Sequence, residues 1–298
     1  MVVVADAGAR LTWNLVTDTR QLFAFHFMVN AFRAGTVVAV AAGAIGWFMV
    51  LRRQAFAGHT LALVGFPGAA GATWLGIGAA WGFFGFCSIA ALSIAALPHR
   101  DARGYSEQSA GIGVIQAFAL ACGFLFVSLY RGFLNGVNAL LFGSFLGITD
   151  GQVLVLLVVG AVALAVLVVA GRPLLFASVD PGIAEARGVP VRVLSLVFLL
   201  LLGLTVAEVS QITGTLLVFA LLVMPAAAAQ ALTARPASSL ALTVAISLVV
   251  TWAGLGAAYY SPYPIGFFVT SFAFAVYAAA TATAAVRRAP GPNIAPAP

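Results

Sequence analysis

The side chains in this sequence able to meet a cation inside an apolar stretch are few and far apart. His59 stands in FAGHTLALVGFPG, Glu208 in LTVAEVSQITG and Asp150 at the head of DGQVLVLLVVG. His26 lies just ahead of a long apolar run. Neutral imidazole is a ligand for zinc and other transition metals, and a carboxylate attracts cations. Ionisable groups at membrane depth are costly, so each one marks a candidate site. The plain alternatives stand beside these. His59 is also suited to capping or packing near an interface, and Glu208 to solvation near a surface. Met224, followed by Pro225, is either a pathway wall at a flexing point or ordinary core packing. There is no HExxH, no paired cysteine motif and no GxxxxGK[ST] loop, so neither a zinc protease centre nor a P-loop is encoded. No nucleophile is paired with a base. The residues alone single out no catalytic group.

Two further constellations stand out. Asp180, Pro181, Glu185, Ala186, Arg187 and Gly188 form a polar island between two apolar runs, long enough for a short helix. Gly65, Pro67 and Gly68 open a glycine-rich stretch that reaches Gly85. Small residues let helices approach closely. Gly and Pro also break helices, which a membrane tolerates only where the break is buried or lines a cavity. Cys87 and Cys122 sit singly in apolar runs and fit as small core residues.

The elements that must carry these residues follow from composition. Of 298 residues, 63% are apolar and 7% are charged, whereas a soluble domain carries roughly 25% charged residues. A water-facing globule and a disordered chain are both excluded. Apolar runs fall at 28–51, 58–76, 78–97, 109–130, 151–170, 191–208, 211–232, 238–260 and 264–286. A bilayer crossing takes about 20 residues. The expectation is an all-α polytopic membrane protein with about eight or nine transmembrane helices. The pairs 58–76 with 78–97 and 191–208 with 211–232 are joined tightly enough to be hairpins. A shorter piece, 131–147, reads as interfacial or re-entrant. The chain divides into an extracytoplasmic segment 1–26, a membrane domain 27–288 and a Pro-rich, disordered cytoplasmic tail 289–298.

All 14 basic residues are arginine and the net charge is +6. In a soluble protein that balance would suggest nucleic acid; here it reads as helix-end arginine, and no nucleic-acid partner is expected. With the N-terminus outside and the C-terminus inside, ten arginines face the cytoplasm. Only Arg10, Arg20, Arg33 and Arg131 lie outside, as the positive-inside rule requires.

The polar island reads RPLLFASVDPGIAEARGVPVRVLSL from Arg172 to Leu196. It resembles the ATPase-coupling loop of permeases in the zinc and manganese ABC importer family. Four other segments resemble that family in the correct order: VLRRQAFAGHTLALVGFPG from Val50, SEQSAGIGVIQAFALACGFLFVSL from Ser106, ALLFGSFLGITDGQVLVL from Ala139 and QITGTLLVFALLVMPAAAAQAL from Gln211. The resemblance runs from about residue 27 to 286, nearly the whole chain. The resemblance implies an all-α metal-importer permease working as a homodimer in a bacterial cytoplasmic (inner) membrane. Its partners would be a separate cytoplasmic ATPase and an extracytoplasmic metal-binding protein. The coupling loop would occupy about 172–192. No cofactor is bound permanently, and the transported ion would be Zn²⁺, with Mn²⁺ or Fe²⁺ as alternatives.

One departure stands in the second span. The family carries Asp and His four residues apart, one helical turn, so that both face the passing metal. This chain has His59 and Leu63 at those positions. Imidazole without the carboxylate tilts the choice toward zinc, and Glu208 is available to supply the missing charge. In this mechanism Asp150 and Glu208 attract the ion, and His59 contacts it in transit. The rivals are an importer of a metal chelate or vitamin-like substrate, an ion-coupled secondary carrier and a non-transporting scaffold.

Overall fold

The computed structural model describes residues 20–97, 105–129, 147–215 and 218–288. The tail 289–298, residues 1–19 of the N-terminal segment and the 131–147 piece, all but its last residue, lie outside the described residues, as do Arg10, Arg100, Arg103 and Arg131. The described residues form ten helices. They are α1 (His26–Leu51), α2 (Ala55–Trp74), α3 (Ala79–Ala95), α4 (Tyr105–Leu129), α5 (Asp150–Val179), α6 (Pro181–Ala186), α7 (Val191–Thr213), α8 (Val218–Leu232), α9 (Pro236–Tyr259) and α10 (Ile265–Arg288).

Each of the nine long apolar runs is carried mainly by one helix, as a solvent without hydrogen-bond partners demands. Six of them (α1, α4, α5, α7, α9 and α10) are long and apolar enough to cross a bilayer. Helices α3 and α8 are shorter, at 17 and 15 residues. The all-α membrane architecture thus stands, with six candidate spans where eight or nine were expected.

Helices α1 and α7 form the interior. Each is buried over 72% of its most apolar stretch, against 17% for α4 and 22% for α5. Helix α1 packs on α5, α7, α8 and α9. The outward faces of α4 and α5 carry exposed apolar side chains such as Phe118, Phe124, Val168 and Val169, which suit contact with hydrocarbon. Polar ties join the helices. The Trp47 indole N–H donates to Ser239 Oγ (2.9 Å), the Gln230 amide to the Trp47 carbonyl (3.0 Å) and the Trp252 indole to Thr36 Oγ1 (3.0 Å). They join α1 to α8 and α9. Such bonds contribute about 0.6 kcal/mol each in a membrane, so they set register more than stability.

Several boundaries differ from the sequence-based expectation. Helix α5 runs on through Pro173 to Val179, so the polar loop begins at Asp180 instead of near 172. Helix α7 extends to Thr213. The pair α2–α3 is a packed hairpin. The pair α7–α8 is not, because beyond Gly214 α8 packs chiefly on α1 and α10. Helix α2 is also unbroken through Pro67, and α8 through Pro225. The glycines at the start of the rich stretch serve close packing. A Cβ on Gly68 would run into the Gly82 carbonyl, and one on Gly82 into the Gly68 carbonyl. Gly65 faces Phe83, and Pro67 lies under Gly123 of α4.

Candidate functional site

His59 sits in the second turn of α2, half-buried, with its ring edge-on to Phe219 of α8 at 5.1 Å between centroids. Its neighbours on α2 are fixed from two sides. Thr60 Oγ1 donates to Gln116 Oε1 of α4 (2.9 Å), and Cys87 Sγ on α3 donates to the Leu61 carbonyl (3.5 Å). Leu63, one turn on, is also half-buried. Among the described residues no group of three or more His, Cys, Asp or Glu side chains comes together. A closed cage of such ligands is therefore absent from them.

Glu208 is where the structure corrects the expectation most. Its place near the end of α7 suggested a solvated carboxylate, yet it is fully buried, with 0% exposure. Neither carboxylate oxygen has a hydrogen-bond partner. Oε1 and Val37 of α1 crowd the face of Gly160 on α5. Thr205, one turn earlier on α7, is buried as well with its hydroxyl unpartnered.

Asp150 lies elsewhere. Its Oδ2 is 3.1 Å from His26 Nε2, and both side chains are exposed. Asn30 Nδ2 donates to the Ile148 carbonyl beneath that pair (3.2 Å). Thr149 caps α5 reciprocally with Gln152. Met224 is half-buried against the core on α8. The four candidates for a pathway thus fall in separate places. His59 touches α8, the helix that carries Met224, through Phe219, and Glu208 touches α5, the helix that carries Asp150, through Gly160.

The polar island folds as a self-capped element. Asp180 Oδ1 accepts from the Ile183 amide (2.9 Å) and Pro181 occupies the first turn of α6, the arrangement that satisfies free N–H groups at a helix start. At the other end Gly188 has φ +79°. The Gly188 amide donates to the Glu185 carbonyl (2.9 Å) and the Val189 amide to the Ala184 carbonyl (3.0 Å). This is a glycine-terminated Schellman cap. Ala184 is buried, whereas Ile183, Glu185, Ala186, Arg187 and Gly188 are exposed. The result is a short rigid helix with a charged outer face between two long helices.

Arg52 is a residue that sequence reasoning missed. Nη1 donates to Ser178 Oγ at the end of α5 (3.2 Å) and Nη2 to Ser195 Oγ at the start of α7 (2.8 Å). The guanidinium lies over the Phe198 ring, 5.3 Å from its centroid. Burial lowers its pKa from the usual guanidinium value. The signal that was available is the RR pair ending the first apolar run, which read only as a topology marker.

The model of the ABC 3 transport family matches residues 24–284. The chain belongs to that family. Among members and relatives, the manganese transport system membrane protein MntC of Halalkalibacterium halodurans is 29% identical, over 81% of this chain and 82% of that protein. The chelated iron transport system membrane protein YfeC of Yersinia pestis is 32% identical, over 80% of each. PsaBC from Streptococcus pneumoniae, solved in complex with a Fab, superposes with a TM-score of 0.78 at 26% identity, covering 89% of this chain and 95% of that one. ABC 3 membership agrees with the helical membrane fold. The names of these relatives carry manganese and chelated iron, and none carries zinc.

Proposed function

We propose that this chain is the permease subunit of an ATP-driven importer for a divalent transition-metal ion. The observation that supports this reading most is helix α6. A rigid, doubly capped helix with an exposed charged face, set between two long apolar helices, is built to take a push from a partner protein. Family membership across nearly the whole chain supplies the context.

In this reading a separate ATPase docks on α6, a binding protein delivers the ion at the opposite end, and two copies of the chain pair side by side. All nine long helices cross the bilayer, α3 and α8 as short spans, with the α6 end in the cytoplasm where the arginines concentrate. Asp150 draws the ion in, Glu208 meets it inside, and His59 contacts it on the way past Met224. Loose ligation suits a conduit, because an ion bound too well does not leave.

Zn²⁺ is the ion that the residue chemistry favours, since imidazole suits zinc and His59 has Leu63, not a second ligand, one turn away. The names of the relatives favour a second reading, Mn²⁺ or Fe²⁺. The deciding measurement is metal-stimulated ATP hydrolysis of the complex reconstituted with its ATPase and binding protein, compared across Zn²⁺, Mn²⁺ and Fe²⁺. Stimulation by none of the three sinks the metal reading. His59→Ala should lower uptake while the complex still assembles.

A further inference from the structure

The end of the bundle that carries α6 has a second feature, on a different part of the chain. Ser178 lies two positions before the α6 cap Asp180, and Ser195 lies seven positions after Gly188. The Arg52 guanidinium bonds both hydroxyls and stacks on Phe198, one turn beyond Ser195 on α7. Both helices that flank α6 are therefore clamped by one side chain from a third.

That side chain sits at a stiff junction. The Arg52 amide donates to Phe48 O (2.9 Å), the Arg53 amide to Val50 O (3.0 Å) and the Gln54 amide to Met49 O (3.0 Å). Arg53 has φ +57°, in the left-handed region that non-glycine residues enter rarely. Helix α2 begins at once, at Ala55, and Gly58 packs on Met49 Sδ. His59 follows. A three-residue turn whose three backbone amides are already hydrogen-bonded has little slack to absorb a displacement at Arg52.

We propose that Arg52 is the positioning residue that carries movement of α6 to His59. The inference rests on the reading of α6 as the ATPase contact. When the ends of α5 and α7 shift with α6, the clamp draws the α1–α2 turn with them. Helix α2 then reorients at its first turns, where His59 stands. Arginine suits this because its planar fork grips two acceptors at once and its face stacks on an aromatic ring, whereas a lysine ammonium is a single point charge.

The test uses the reconstituted complex with its ATPase and binding protein. Arg52→Gln, Arg52→Lys, Ser195→Ala and the Arg52→Gln/Ser195→Ala double variant are compared for ATPase co-purification, basal hydrolysis and ions imported per ATP. The expected result for Arg52→Gln is normal assembly and basal hydrolysis, with ions per ATP reduced about five- to tenfold, the lower end of ordinary coupling effects. Ser195→Ala should show a smaller loss of the same kind, the double variant no more than Arg52→Gln alone, and Arg52→Lys a partial return. Wild-type stoichiometry in Arg52→Gln would overturn the proposal, as would hydrolysis and import falling in equal proportion. Should Arg52→Gln fail to assemble, Ser195→Ala decides: an unchanged ratio refutes the clamp. If the unmodified complex shows no metal-stimulated hydrolysis, the importer reading itself fails and the clamp falls with it, a result distinct from an uncoupled Arg52 variant in a coupled background.

Discussion

Glu208 Oε1 occupies the space that a side chain on Gly160 would need: a Cβ built there would stand 2.9 Å from it. The carboxyl of α7 thus fits into the surface of α5, with Val37 of α1 closing the other side. A buried carboxylate without donors costs several kcal/mol relative to water, so the fold gains nothing from the charge itself. Glu208→Gln keeps the shape and should hold or raise the unfolding temperature of the purified protein. Gly160→Ala should lower it, because overpacking of a fitted contact costs roughly 1–3 kcal/mol. Metal uptake should fall in Glu208→Gln if the carboxylate meets the ion. Full uptake in a well-folded Glu208→Gln protein removes Glu208 from the pathway.

This residue also shows where sequence reasoning stops. The all-α type of the elements was readable, since apolar runs of bilayer length have a single stable outcome, whereas the count was not: six of the described helices are long and apolar enough to cross where eight or nine were expected. The α6 element was readable too, because Asp180, Pro181 and Gly188 each carry a local conformational preference. Glu208 was not. Its burial depends on which helix lies opposite, and nothing in LTVAEVSQITG names Gly160 as its neighbour. The same holds for Arg52, whose partners Ser178 and Ser195 lie more than a hundred residues away. The glycine stretch was half readable: small residues announce either close packing or a break, and the unbroken α2 decides for packing.

The α2–α3 contact offers an internal comparison. Gly68 and Gly82 meet backbone to backbone, whereas Gly85, one turn further on α3, has nothing within 4 Å of a Cβ position. Gly82→Ala should destabilise the protein by about 1–3 kcal/mol through overpacking. Gly85→Ala should be neutral or better, since alanine exceeds glycine in helices by up to about 1 kcal/mol. Thermal unfolding of the two variants in the same detergent checks this; equal melting temperatures would show that the helices are not in backbone contact.

The His26–Asp150 contact, though short, joins two exposed side chains, and such pairs contribute little because water screens them and both side chains lose freedom. Asp150→Asn is therefore expected to leave the unfolding temperature unchanged. If Asp150 attracts the ion, the variant should slow uptake at low metal concentration and recover at saturation, and raising the salt should produce the same slowing in the unmodified protein. A loss that persists at saturating metal would show a role other than attraction.

The caps of α6 separate folding from coupling. Asp180→Ala removes the acceptor for the Ile183 amide, a loss typically near 1 kcal/mol for a helix cap. Gly188→Ala imposes left-handed backbone on a residue with a Cβ, at a cost of about 1–2 kcal/mol. Neither change touches α1, α2 or α7 beyond its first turn, and α6 is only six residues long. The bundle should therefore unfold at nearly the same temperature in both variants, while the helix presented to the partner frays. The ATPase should co-purify in smaller amounts and be less stimulated by metal, with Gly188→Ala affected at least as strongly as Asp180→Ala. A protein that unfolds much earlier yet binds its ATPase normally would show that α6 belongs to the core of the fold and not to its motor contact.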